Sequence, residues 1–206
     1  MRLGLRERLL GLGTRFVRNE RGVAAVEFAL IVPFMMALYF GSMEAAALFT
    51  ADKRVNSISA TVGDLVAQWD PDDGKLPTST MTDYLAAATG IMTPYSTTGL
   101  KIVVTLVQVK SDGSTKVLWS KANSAGTAKT VGNSYSGLTT SSMINQVSRG
   151  GCIIAAESSY SYLPLLAQMF KSSVNLSHTN YFLPRFGSTD VINLQTTSVA
   201  ASACTT

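Results

Sequence analysis

The residues of this chain that could do chemistry are few: one carboxylate lodged in an apolar run, one histidine and two cysteines. Glu27 lies inside VAAVEFALIVPFMMALYFGSMEAAALFT (residues 23–50), where the next charged side chain is Glu44. An acid near the edge of such a run bears at least part of the ~2.5–3.5 kcal/mol estimated for a charge at a bilayer centre. Its natural chemistry is pairing, because a charge pair is far stronger at low dielectric than in water. Five positions earlier stands Gly22, which presents no side chain.

The other candidates are weaker. His178 is the only histidine, so no histidine-based metal cluster exists and a triad would have a single base. Its polar neighbours indicate a solvent-facing or structural imidazole. Cys152 and Cys204 form no CxxC pair and have no histidine nearby, which disfavours zinc. Outside the cytoplasm they could form a disulfide tying the C-terminal tail to the sheet; otherwise one is a buried thiol and the other a tail thiol.

Gly132-Asn133-Ser134-Tyr135-Ser136-Gly137 falls short of a nucleophile elbow, and no S-x-x-K, HExxH or phosphate-binding glycine loop occurs. Asp112-Gly113-Ser114-Thr115-Lys116 starts like a D-x-S-x-S metal-adhesion motif but ends in lysine. Asp70, Asp72 and Asp73 read as a helix-ending turn, since no spaced calcium-ligand set follows. The expectation is no catalytic residue, no metal and no cofactor.

Charge is distributed unevenly. Residues 1–22 hold six arginines against Glu7 and Glu20, a net +4 that equals the net charge of the whole chain. Residues 23–206 are therefore neutral. That composition gives no sign of the basic face that nucleic-acid binding requires. Charged residues make up only 15% of the chain, against the ~25% usual in soluble proteins.

The elements that must position Glu27 follow from these patterns. The 28 residues of 23–50 suffice to cross a ~30 Å hydrocarbon core as a helix. Arginines crowd the N-terminal side, while Asp52, Lys53 and Arg54 nearly cancel on the other. The positive-inside rule then keeps residues 1–22 in the cytoplasm and exports the rest. Pro33 would bend or loosen the helix by removing one ladder hydrogen bond. Glu44, ~25 Å beyond Glu27, is placed near the outer interface.

The stretch RNERGVAAVEFAL (residues 18–30) resembles the processing region of type IV pilins and pseudopilins: a basic leader, a glycine, four residues, a glutamate and an apolar helix. That resemblance implies cleavage by a prepilin peptidase between Gly22 and Val23, with Glu27 as the fifth residue of the product. It also implies that Glu27, with Phe28 and Pro33 beside it, packs one subunit's helix against the next.

RGxxAVEFAL, Pro33, and Glu44 after Phe40-Gly41 together resemble the TadE-like family of tight-adherence (Tad) pilus systems. A second match lies in AESSYSYLPL, through Glu157, Tyr160, Tyr162 and Pro164, with Arg185 after Pro184. Val23 departs from the phenylalanine that follows the cleavage site in many pilins.

Beyond the span, Val55, Ile58, Val62, Leu65, Val66 and Trp69 mark one helical face continuing to about Trp69. A second helix is expected over 79–89 and a short one near 139–147. Strands are expected over 100–109, 115–120, 152–163 and 174–184, the first two joined by an Asp-Gly turn. Pro164 would open a short helix through Phe170. Residues 121–151, poor in large apolar groups, read as an exposed excursion.

The expected fold is α+β: a long N-terminal helix, transmembrane and continuing into the periplasm, packed on a small antiparallel sheet. Its parts are a cytoplasmic leader (1–22), a transmembrane helix (23–50) and a periplasmic pilin-like domain (51–206).

The family resemblance implies a minor pseudopilin or assembly factor in the bacterial inner membrane, single-pass, with a route into the pilus. Implied partners are a prepilin peptidase, other Tad pseudopilins, the major pilin and the inner-membrane platform. Two alternatives stay open at this stage. One is an uncleaved single-pass scaffold; the other is a secreted enzyme or ligand-binding domain whose N-terminus is merely a signal.

Overall fold

The computed structural model describes residues 22–70, 73–164, 173–186, 191–200 and 203–204. The leader before Gly22 and the helix expected after Pro164 lie outside them, as do Pro71 and Asp72 of the Asp-rich turn. The chain divides into two compact units, Met1–Ala47 and Leu48–Thr206.

The described part of the first unit is helical. Helix α1 runs over Val23–Ala67, 45 residues, with Pro33 inside it. From Val23 to Ala46 nearly every side chain is exposed, including Phe28 at 69% and Leu30 at 73%. A helix apolar on all sides and covered by nothing is the pattern of a lipid-facing span. Among the described residues this is the one helix long and apolar enough to cross a membrane.

In the second unit α1 changes character. From Ala51 onward one stripe is buried: Ala51, Val55, Ile58, Ser59, Val62, Gly63, Val66 and Ala67. Each buried valine or isoleucine contributes about 1.5–3 kcal/mol relative to exposure. Leu65 and Trp69, also expected on this face, are only half-buried. The helix stops two residues before Trp69, whose N–H bonds the Val66 carbonyl at 3.2 Å.

Helix α2 (Thr78–Thr89) buries Met81, Leu85 and Ala88, and a 3-10 turn (Gly90–Met92) follows. Then come β1 (Lys101–Val109), β2 (Thr115–Ala122), the five-residue helix α3 (Met143–Val147), β3 (Gly151–Tyr162) and β4 (Val174–Phe182).

The strands form one antiparallel sheet in the order β2-β1-β3-β4, two hairpins joined through β1 and β3. The β1–β2 turn places Gly113 at φ +85°, a conformation glycine adopts without steric cost. A bulge after Leu106 sets Trp119 opposite Leu106 and Val117 opposite Val107. Trp119 therefore faces α1 with Leu106, while Val117 joins the other face.

Helix α1 lies on the face formed by Ile102, Val104, Leu106, Ile154, Ala156, Ser158, His178, Asn180 and Phe182. Contact is close where both sides are small. A Cβ on Gly63 would lie 2.4 Å from the Phe182 ring and 2.9 Å from Ala156 Cβ. Ser158 Oγ donates to the Val55 carbonyl at 2.6 Å.

The opposite face corrects one expectation. Residues 121–151 are not simply an exposed excursion, because they cover the second face of the sheet. Tyr135 and Leu138 are buried there with Val107, Val109, Val117, Ile153 and Ala155. The segment is attached by polar contacts that need no apolar run. Val117 N–H donates to the Asn133 carbonyl (2.8 Å), and Asn145 Nδ2 to the Gly113 carbonyl (2.9 Å).

The C-terminal stretch also joins the core. Val191, Ile192 and Leu194 are buried, Leu194 bridges Leu76, and Trp119 Nε1 donates to the Ile192 carbonyl at 2.7 Å.

Candidate functional site

The site pointed to by the sequence is the first turns of α1. The α-helix is described from Val23, with Gly22 just before it in a 3-10 turn. A Cβ on Gly22 would meet no described atom within 4 Å. Glu27 stands one turn beyond Val23, about 6 Å along the axis and on the same side of the helix. Phe28 and Pro33 do not share that side, being rotated from Glu27 by roughly 100° and 240°. The helix thus presents Val23 and Glu27 together, and Phe28 and Pro33 to other neighbours. All five residues are exposed.

Residues 22–63 match the family model described as TadE-like protein. This part of the chain is TadE-like. The match takes in Gly22, Val23, Glu27, Phe28, Pro33 and Glu44, and ends at Gly63, where α1 touches Phe182. It covers about a fifth of the chain. No curated protein and no solved structure matches the chain.

Outside the TadE-like segment, the residues of the second sequence pattern hold the domain together. Glu157 accepts from the Tyr135 hydroxyl at 2.5 Å and pairs with Lys129 Nζ at 2.8 Å. Burial, reinforced by the neighbouring Glu157 carboxylate, holds the Tyr135 hydroxyl far above the ordinary tyrosine range. Burial also raises Tyr181, whose hydroxyl donates to the Gly137 carbonyl at 2.8 Å. These contacts fasten the 123–139 stretch to the sheet.

Arg185 pairs through its guanidinium with Asp64, and its N–H donates to the Ala67 carbonyl at 2.9 Å, closing the end of α1. Tyr162 stacks edge-on against Tyr95, centroids 6.0 Å apart, and the Arg54 guanidinium lies 5.9 Å from the Tyr95 ring centre. Tyr160 and Pro164 are half-buried.

His178 is a structural imidazole. Its Nε2 lies 2.7 Å from Asp52 Oδ1, joining β4 to α1. Cys152 and Cys204 are joined by a disulfide, Cα atoms 5.0 Å apart, and Gln108 Nε2 donates to the Ala203 carbonyl at 2.7 Å beside it. Among the described residues no three His, Cys, Asp or Glu side chains converge as metal ligands.

Sequence reasoning missed the partners of these residues: Asp52 for His178, Asp64 for Arg185, and Lys129 with Tyr135 for Glu157. Each pair is far apart in the chain, and no local spacing announces it.

Proposed function

We propose that this protein is a minor pseudopilin or assembly factor of the Tad pilus, cut between Gly22 and Val23, that works by packing α1 beside the helices of other subunits. One observation carries the reading: a TadE-like helix, exposed and largely apolar through its first half, bears the Glu27 carboxylate one turn from the proposed cut.

Cleavage would remove the six leader arginines and free the Val23 α-amine. That ammonium and the Glu27 carboxylate of the same or an adjacent chain then neutralise each other in lipid, where each alone is costly. Phe28 and the Pro33 bend face further neighbours around the helix.

In this reading residues 1–22 are a cytoplasmic leader, 23–50 the inner-membrane span and 51–206 a periplasmic domain. The Cys152–Cys204 disulfide supports an oxidising compartment. The partners are a prepilin peptidase, other Tad pseudopilins, the major pilin and the inner-membrane platform. The protein has no catalytic task of its own.

The test is Glu27→Ala. The variant should reach the membrane and be cut as the parent is, while cells assemble fewer pili. Normal piliation would overturn the role of Glu27.

A further inference from the structure

The second face of the sheet is only partly covered. The 123–139 stretch reaches as far as Glu157, which accepts from the Tyr135 hydroxyl and pairs with Lys129. Beyond that acid, towards the start of β1, the face holds a cavity of about 240 Å³. Alternation along the strands brings two rows of side chains to it. Lys101, Ser159 and Ser177 form one row across β1, β3 and β4, and Val103, Glu157 and Thr179 form the next. With ~4.8 Å between strands, each row spans about 10 Å. Thr127 and Lys129 of the covering stretch also line the cavity.

The lining is hydroxyls and charge, with Val103 its one apolar side chain. Glu157 and Lys129 neutralise each other at 2.8 Å. Lys101 has no such acid. Among the described residues no ion pair engages it, and no side-chain hydrogen bond engages Ser159, Ser177 or Thr179. The cavity therefore carries one unpaired positive charge and a set of unengaged hydroxyls. It also holds a carboxylate whose charge is already met, but whose roughly four acceptor positions are not all filled by Tyr135 and Lys129.

These groups select a molecule with one acid and several neutral hydroxyls. A multiply charged anion would set its excess charge against Glu157, and a cation would compete with Lys129. A plain alcohol would leave Lys101 without a partner. The volume is below the ~300–1,000 Å³ of drug-sized sites, so the ligand is on the order of one ring. We propose that this cavity binds a carboxylated sugar, free or as one unit of an acidic polysaccharide. The two rows set its pose. The carboxylate lies on Lys101 with Ser159 and Ser177 beside it, and the ring hydroxyls meet Glu157 and Thr179.

The experiment titrates the isotope-labelled full chain, in detergent micelles, with galacturonate and follows its backbone amide signals. Those of Lys101, Ser159, Ser177 and Thr179 are expected to shift with a saturable, millimolar response. Galactose, which lacks the acid, and phosphate, which lacks the ring, should each act several-fold more weakly. Lys101→Gln should abolish the response and Thr179→Val should reduce it. Both residues are exposed, so circular dichroism of the two variants should match the parent.

Equal effects of galactose or phosphate would overturn the proposal. So would an undiminished response in Lys101→Gln, or the absence of shifts at these four positions. Oligogalacturonate separates the two sources of the sugar. Binding tighter than the monomer assigns a polysaccharide, whereas binding of the monomer alone assigns the free sugar.

Discussion

Asp52 Oδ1 and His178 Nε2 lie 2.7 Å apart across 126 residues of sequence, tying the helix to the last strand of the sheet where its buried stripe begins. Both side chains remain about a third exposed, so solvent screens the pair and its worth is about 0.2–1 kcal/mol. Asp52→Ala and His178→Ala should each lower the thermal midpoint slightly. The double variant should cost less than the two single losses combined, read by circular dichroism of the detergent-extracted protein.

Gly63→Ala should be far more damaging than its size suggests. The added methyl would meet the Phe182 ring at 2.4 Å and Ala156 Cβ at 2.9 Å, forcing helix and sheet apart. The expected loss is about 1–3 kcal/mol. Chemical unfolding checks it, and Phe182→Leu in the same chain should recover part of the loss.

Tyr135 should stay protonated in the folded protein at pH values where ordinary tyrosines ionise, because burial and the Glu157 contact oppose its charge. The unfolded tyrosine ionises near pH ~10, so folding stability is fully present below that pH and falls as pH rises above it. Tyr135→Phe should leave the tyrosinate absorbance of the folded protein unchanged up to pH ~11 while flattening the alkaline fall in stability. At neutral pH the same variant should cost about 1.5–3 kcal/mol through the lost bond to a charged acceptor.

The Cys152–Cys204 bridge closes a span of 52 residues. Chain entropy alone gives such a loop roughly 4 kcal/mol, with about 2–4 typical of measured bridges. Cys204→Ser, or reduction, should lower stability by that order. Protein from the bacterial envelope should take up a thiol-reactive mass label only after reduction.

The sequence made visible what periodicity and turn chemistry encode. Val55, Ile58, Val62 and Val66 announced the buried stripe of α1 by their spacing alone, and the β-branched run at 101–109 and the Asp112-Gly113 turn announced a hairpin. The cover on the second face had no such signature. Tyr135 and Leu138 are isolated among serines, threonines and glycines, and their segment is attached by backbone and hydroxyl contacts such as Tyr135 N–H to Thr115 Oγ1 at 3.0 Å.

Strand ends were easier to place than their neighbours, because pairings such as Lys101 with Ser159 depend on long-range register. The core contact of Val191, Ile192 and Leu194 was not read from the sequence, where three apolar residues among polar ones carry no periodicity. At the candidate site Gly22, Val23 and Glu27 are singled out by linear spacing, and the roles given to them are those proposed above. The use of Glu157 and Arg185 was not legible, because each is defined by a partner elsewhere in the chain.

The most direct measurement is the N-terminus and intact mass of the protein extracted from the inner membrane of cells that make the pilus. A chain beginning at Val23, with Glu27 as its fifth residue, is the expected result. A chain that keeps its arginine-rich leader, or one that starts near Leu48 and is free of the membrane, would contradict the proposed processing and the packing role built on it.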